Sequence, residues 1–306
     1  MDFIQIDQRI MGVLSGPSAV AVGVSGGKDS CAVAIAMAKY LEDSDYQGPR
    51  VLVHSDLGRV EWKDSLPTCE RLAKHIGWEL VVVRRKAGDM MDRWLKRWSN
   101  NVERYTNLEC VKLILPWSTP SMRFCTAELK RDVICRELVT RFPGKTILSV
   151  SGIRRDESAN RKKAPLLSIQ PKMSSMKYLT TGFDWNPILE WRLQDVLNYC
   201  KDNNFPLHEA YEKYGSSRVS CAYCIMSKAD DLIAATSCPD NHEIYREMVD
   251  LEIRSTFSFQ GGKWLADVAP HLIQDKQINL MRAKRNAALR EEAEALARFV
   301  SDASAA

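Results

Sequence analysis

Three strand-like runs stand out near the start of the chain: Ala19–Val24, Val51–His54 and Glu79–Val83. Short, nearly continuous apolar runs mark strands covered on both faces. After the first run comes CAVAIAMAKYL, apolar nearly all round, which predicts a buried helix. A second helix is predicted from about Trp62 to Ile76 and a third from Glu128 to Arg141, leading to a fourth strand over Thr146–Val150. Strands alternating with helices predict an α/β fold, a parallel sheet with helices on both faces.

Residues 84–124 break this rhythm. RRKAGDMMDRWLKRW carries six basic and two acidic residues with Trp94 and Trp98, and Tyr105, Pro116, Trp117 and Pro120 come after it. The segment reads as an insertion or lid between the third and fourth strands. Beyond Pro187 the pattern becomes helical and cysteine-bearing, closing with a long helix from about Asp275 to Phe299 and a frayed tail, SDASAA. No internal repeat or low-complexity segment is found.

Composition narrows the class. No apolar run approaches the roughly 20 residues that span a bilayer, and MDFIQIDQRIMGVLSG lacks the basic-then-apolar order of a signal peptide. A soluble, cytoplasmic protein with no membrane partner is expected. Nine cysteines are then better suited to metal or redox use than to a disulfide framework. The net charge of +4 permits a polyanionic partner without requiring one.

Ligands of open α/β sheets bind beyond the carboxyl ends of the strands. The hexapeptide Ser25-Gly26-Gly27-Lys28-Asp29-Ser30 lies there, between strand one and the buried helix. Its glycines let the backbone approach an anion, free N–H groups and the helix dipole face it, and Ser25, Ser30 and Lys28 add donors. A plain strand-to-helix turn is the alternative. The pattern is not GxxxxGK[ST], so P-loop kinase chemistry is not implied.

SGGKDS resembles the PP-loop of ATP pyrophosphatases, and four further segments resemble the PAPS reductase-like (CysH-like) branch in its order. They are HSDLGRVE (54–61), FCTAELK (124–130), GIRRDESANR (152–161) and NPILEW (186–191) followed by Asp195-Val196. The likeness covers roughly residues 18 to 225. It implies a PP-loop, adenine nucleotide α-hydrolase-like core over 1–190, with the insertion at about 84–124, and a helical, cysteine-bearing region over 191–306. Sulfonucleotide reductases of the family carry a C-terminal cysteine that attacks the substrate, and no cysteine follows Cys238. The chain therefore looks more like ATP-using sulfur-transfer relatives, such as DNA phosphorothioation (Dnd- and Ssp-type) and CRISPR- or mobile-element-associated CysH-like proteins.

The resemblance implies cleavage of ATP to AMP and pyrophosphate. Ser25, Gly26, Gly27 and Ser30 would cradle the pyrophosphate, with Gly152 nearby. Lys28, Arg154 and Arg161 are the cation candidates, and Lys130 occupies the matching "L-K" position. Asp29 and Asp56 are candidates to hold Mg²⁺, a hard ion that often takes one or two carboxylates; helix capping is the competing role for Asp29. The backbone at Val53 and His54 is expected to face the adenine.

The cysteines divide. Cys31, Cys69, Cys135 and Cys200 lie in apolar helical contexts and read as small buried hydrophobes, and Cys110 is unassigned. Cys221-x-x-Cys224, with Cys238 and Cys125, offers four thiolates for a [4Fe–4S] cluster as in iron–sulfur members of the family; zinc and free redox thiols are the alternatives. The basic-aromatic insertion (Arg84, Arg85, Lys86, Arg93, Trp94, Lys96, Arg97, Trp98) is a candidate for tracking a phosphate backbone and stacking bases. The leading function is thus ATP-dependent activation of an acceptor, nucleic acid first, for sulfur transfer from a donor such as a cysteine desulfurase. Alternatives are a sulfonucleotide reductase or a low-turnover nucleotide- or nucleic-acid-binding accessory subunit.

Overall fold

A computed structural model of the chain describes residues 4–304, and side chains as far as Arg298. Among the described residues the sheet has six strands in the order β3-β2-β1-β4-β6-β5. They are β1 (Ser18–Val24), β2 (Arg50–Asp56), β3 (Glu79–Arg84), β4 (Thr146–Val150), β5 (Leu167–Ile169) and β6 (Thr181–Trp185). All their pairings are parallel except that of β5 with β6. The α/β expectation holds, with one antiparallel edge strand that the hydrophobic pattern did not announce.

The helices are α1 (Gln8–Leu14), α2 (Lys28–Asp43), α3 (Ser65–Ile76) and α4 (Met90–Thr106), then Asp132–Arg141, Leu193–Asp202, Ala229–Thr236, His242–Ser255 and Asp275–Ser304, besides shorter turns. Strand alternation sorts the core into two layers. Val20, Val22 and Val24 face one side and bury with Ala32, Ile35 and Met37 of α2. Ala19, Ala21, Val51, Val53 and Ile147 face the other and bury with Val133, Leu138 and Val139. Burying each such large aliphatic side chain stabilises by about 1.5–3 kcal/mol, so β1 is fixed from both faces and gives the loop at its carboxyl end a rigid base.

Chain order sets the site. From β1 the chain winds outward through β2 to β3, then returns to the other side of β1 as β4. The crevice beyond the carboxyl ends of β1 and β4 is the point where strand order reverses, where such sheets bind ligands.

Several boundaries differ from expectation. α3 starts at Ser65, because Trp62 is buried ahead of the helix against His208 and Tyr214. The third predicted helix opens as a π-helical turn, Ala127–Arg131, a feature frequent at functional sites. The last helix continues through Ser301 to Ser304, so most of the expected frayed tail is helical; Ala305 and Ala306 lie outside the described residues.

The chain forms two compact units. One comprises the residues up to Arg93 together with Ser118–Asp240, and contains the sheet; the other comprises Trp94–Trp117 and the residues from Asn241 onward. In the second unit Trp94 is 4% exposed, edge-on to Trp117 and Phe259, and Trp98 packs on Phe257. Trp94 is core, which corrects its assignment as a base-stacking platform. Arg97 donates to the Leu115 carbonyl in that unit. In the first unit Arg93 binds Glu128 and lies over the Phe124 ring, and Arg84 pairs with Asp56. Arg93 and Arg97 are committed internally, Arg84 sits in an exposed pair, and Lys86 and Lys96 are exposed. Among the described residues no helix is long and apolar enough to cross a membrane.

Candidate active site

The loop after β1 turns at Gly26, whose φ of +74° lies in the left-handed region that glycine enters without penalty. Gly27 is the extended N-cap of α2, a 16-residue helix, and has no side chain with which to cap its first N–H groups. Ser30 Oγ closes the turn, donating to the Gly27 carbonyl at 2.8 Å and accepting from the Ser25 N–H at 3.3 Å. Its hydroxyl is thus spent on shaping the loop.

Asp29 does not cap the helix. Its two carboxylate oxygens lie 3.1 Å from Lys28 Nζ and 2.6 Å from Arg154 Nε. Lys28 and Arg154 are both buried, and Arg154 also reaches Asp156. Burial opposes the guanidinium charge, but Asp29, Asp156 and Glu157 raise its pKa above the ordinary arginine value. Gly152, at the carboxyl end of β4, packs on this helix start: a β-carbon there would sit 2.6 Å from the Asp29 carbonyl oxygen. The hexapeptide and the GIRR segment, far apart in sequence, therefore meet at the strand-order reversal. Arg161 pairs with Glu157, whose carboxylate accepts the Arg154 N–H, so it stands one residue removed from this cluster.

Asp56, at the end of β2, accepts from the Gly58 N–H at 2.7 Å and pairs with the exposed Arg84 at 2.6 Å. Mg²⁺ needs oxygen ligands. Asp29 is held by two buried cations and offers none as arranged. Asp56 fits better, because an exposed ion pair is weak and readily exchanged.

Val53 packs in the core beneath the sheet, and His54 is 1% exposed. Its Nδ1 lies 3.1 Å from the Val24 carbonyl and its Nε2 3.2 Å from Glu61 Oε2. Both neighbours are acceptors, which suits a doubly protonated ring. Burial alone would lower the pKa, but Cys69 and Glu61 outweigh it and raise it to about 10. His54 is a buried structural cation tying the ends of β1 and β2 to Glu61.

Sequence reasoning singled out Cys221 and Cys224 but missed His208, Tyr211 and Ser217 in the segment ahead of them. His208 lies against Gly26, and the Tyr211 hydroxyl accepts the Lys28 N–H at 3.0 Å and the Val219 N–H at 3.2 Å. Lys28 Nζ lies 3.4 Å from the Ser217 carbonyl and 5.3 Å from the Tyr211 ring centroid. Two residues past Val219, Cys221 bridges to Glu61, and Ala222 donates to the Val60 carbonyl. No motif flags Tyr211 or Ser217; a tyrosine between charged residues has no local signature.

Cys221 has Cys224, Lys130, Glu61 and Cys125 as electrostatic neighbours. Burial and the Cys224 sulfur push its thiol up, while Lys130 pulls it down. Lys130 thus acts on a thiol. Cys238 is 2% exposed and hydrogen-bonds Tyr214. Among the described residues no three His, Cys, Asp or Glu side chains are arranged to hold a metal. Among the described residues the four cysteines expected to bind a [4Fe–4S] cluster or zinc are not arranged as such a set; Cys125 and Cys224 are electrostatic neighbours of Cys221, and Cys238 bonds Tyr214.

Residues 19–227, more than half of the chain, match the profile of the phosphoadenosine phosphosulfate reductase domain. The chain belongs to this family. Its relatives include an uncharacterized protein of Methanocaldococcus jannaschii, 26% identical over 206 residues, covering 67% of this chain and 41% of that protein. An adenosine 5'-phosphosulfate reductase of Oceanobacillus iheyensis is 30% identical over 81 residues, 26% of this chain and 30% of that one. The chain thus spans less than half the length of each. Among solved structures, the PAPS reductase of Candida auris overlaps with a TM-score of 0.42 at 13% identity, over 71% of this chain and 97% of that one. The U34-tRNA thiolase of Methanococcus maripaludis, solved with its [4Fe–4S] cluster, overlaps with a TM-score of 0.43 at 15% identity, over 90% and 74%. Overlaps this loose carry nothing about chemistry, which rests on the site itself.

Proposed function

We propose that this member of the reductase-domain family cleaves ATP between the α and β phosphates, releasing pyrophosphate and activating an acceptor for sulfur transfer. The observation that carries the reading is one segment with two contacts: residues 208–224 touch the phosphate loop through Tyr211 and Ser217, and bring Cys221 beside Lys130, Cys125 and Cys224. A nucleotide site and a thiol site are thereby joined within one compact unit.

The backbone of Gly26 and Gly27 and the Lys28 N–H suit the leaving pyrophosphate. Lys28 and Arg154 supply positive charge where negative charge accumulates, and Asp29 fixes both beforehand, the preorganisation that lowers a barrier without reorganisation cost. Mg²⁺ arriving with the phosphates would be held by Asp56 and would supply further charge neutralisation. No step is assigned to an iron–sulfur cluster. The thiol pair is the candidate sulfur carrier, loaded by a donor such as a cysteine desulfurase. Nucleic acid is the acceptor class placed first, in keeping with the likeness to phosphorothioation- and CRISPR-associated proteins, with exposed Lys86 as a contact.

Purified protein with Mg²⁺ is expected to convert ATP to AMP and pyrophosphate, and Lys28→Ala to slow this about 100-fold or more. Chromatography showing only ADP and phosphate would refute the reading. The sulfonucleotide reductases among the sequence relatives motivate one alternative: release of sulfite from PAPS with a dithiol reductant would favour it.

A further inference from the structure

We propose that the last helix, Asp275–Ser304, pairs antiparallel with the same helix of a second copy of this chain, making a homodimer. The inference concerns the second unit alone and does not depend on the chemistry proposed for the first.

The helix has two unlike stretches. As far as Lys284 it is docked on the helix His242–Ser255. Buried Gln277 donates to the Arg246 carbonyl at 3.0 Å and to Asp250 Oδ1 at 2.8 Å, and Lys284 Nζ donates to the Arg254 carbonyl at 2.8 Å. Beyond Lys284, Ala287 is half-buried and every other position through Arg298 is exposed. Among the described residues no side chain of that stretch bonds another element; Arg298 pairs with Glu294 one turn away. About 30 Å of helix thus runs on without support from its own unit. Helices in proteins draw most of their stability from packing an apolar stripe against something else.

Such a stripe is present and exposed. Met281, Arg285, Leu289, Glu292 and Leu296 follow one another at intervals of four or three, the spacing that stacks side chains along one side of a helix. Met281, Leu289 and Leu296 are 38%, 52% and 63% exposed. The order apolar, basic, apolar, acidic, apolar complements itself when reversed. Laid antiparallel on a second copy, Met281 meets the partner's Leu296, Arg285 meets the partner's Glu292, and Leu289 lies against the partner's Ala288. A two-fold axis repeats each contact, as a self-complementary interface requires. Parallel pairing would instead set Arg285 on Arg285 and Glu292 on Glu292. The flanks agree: Arg282 and Arg285 precede the crossing point, and Glu291, Glu292 and Glu294 follow it, so each basic half faces an acidic half. Exposed ion pairs add little affinity by themselves. They fix orientation and partner, while the apolar layers supply the attraction.

One helix pair is small beside a standard interface, so the dimer is expected to be reversible, with a Kd of about 1–100 μM. Sedimentation equilibrium of the full chain up to about 200 μM reads it directly. Arg285→Glu and Glu292→Arg each place two like-charged pairs in the seam, and each is expected to weaken association about 10-fold or more. An equimolar mixture of the two variants restores opposite charge at both pairs and is expected to dimerise at about the wild-type affinity, as is the double reversal within one chain. Both positions are exposed, and rescue by mixing separates a lost contact from a misfolded variant. A wild type still monomeric at the highest concentration, a dimer indifferent to either reversal, or single variants that mixing does not rescue overturns the proposal.

Discussion

A β-carbon on Gly152 would lie 2.6 Å from the carbonyl oxygen of Asp29, backbone against backbone, with no flexible side chain to give way. Residue 152 lies two positions past β4 and residue 29 is the second of α2, so this contact sets the distance between the segment after β4 and the start of α2. Gly152→Ala is expected to destabilise by about 1–3 kcal/mol and to abolish nucleotide binding. Gly144→Ala is the control: φ is +73° with nothing within 4 Å, so strain costs roughly 1–2 kcal/mol while binding is retained. Thermal melts paired with nucleotide titrations separate the two.

Arg154 is buried and pairs with a partly exposed Asp29, which keeps Lys28 as its second partner. Arg154→Ala is expected to cost about 1–3 kcal/mol in denaturant unfolding, the worth of a charged hydrogen bond lost at a buried site. Arg161→Ala removes an exposed pair with Glu157 and is expected to change stability by less than about 1 kcal/mol. Equal losses from the two variants would contradict the burial argument.

His54 gives the protein a pH dependence of known sign. Its folded pKa is raised from the ordinary histidine value of 6.5 to about 10, with burial opposing the shift and Cys69 and Glu61 producing it. The stabilisation is complete below about pH 6.5 and is lost as pH rises toward 10, with a slope of at most about 1.4 kcal/mol per pH unit. Unfolding of the wild type between pH 6.5 and 10 should show this slope, and His54→Asn should flatten it.

The thiols should differ in reactivity by environment. Burial pushes Cys135 up to about 11 and Cys200 up to about 12, and Cys31 is raised as well, so these three should resist alkylation in the folded protein. Lys130→Ala removes the charge that pulls the Cys221 thiol down and should slow its alkylation further. Cys238→Ser should leave the rates at Cys221 and Cys224 unchanged, since Cys238 faces Tyr214. A change of rate at both sites would show that Cys238 belongs with the pair.

The features legible along the chain were local ones. Nearly continuous apolar runs announce β1, β2 and β4 because strands covered on both faces bury most of their side chains, and the Ser-Gly-Gly turn is legible because its backbone demands glycine. β5 and β6 were not legible: LSI is too short to show a period, and TGFDW carries polar residues that a strand near the sheet edge tolerates. The remainder was settled by packing between distant segments. Asp29 meets Arg154 across 125 positions only because strand order reverses between β1 and β4. Trp94 reads as a surface aromatic among basic residues, yet Trp117 and Phe259 enclose it. Tyr211 has no motif at all and reaches the start of α2 183 residues away, because a hydrogen bond needs only proximity, and proximity between distant segments is a property of the packed fold.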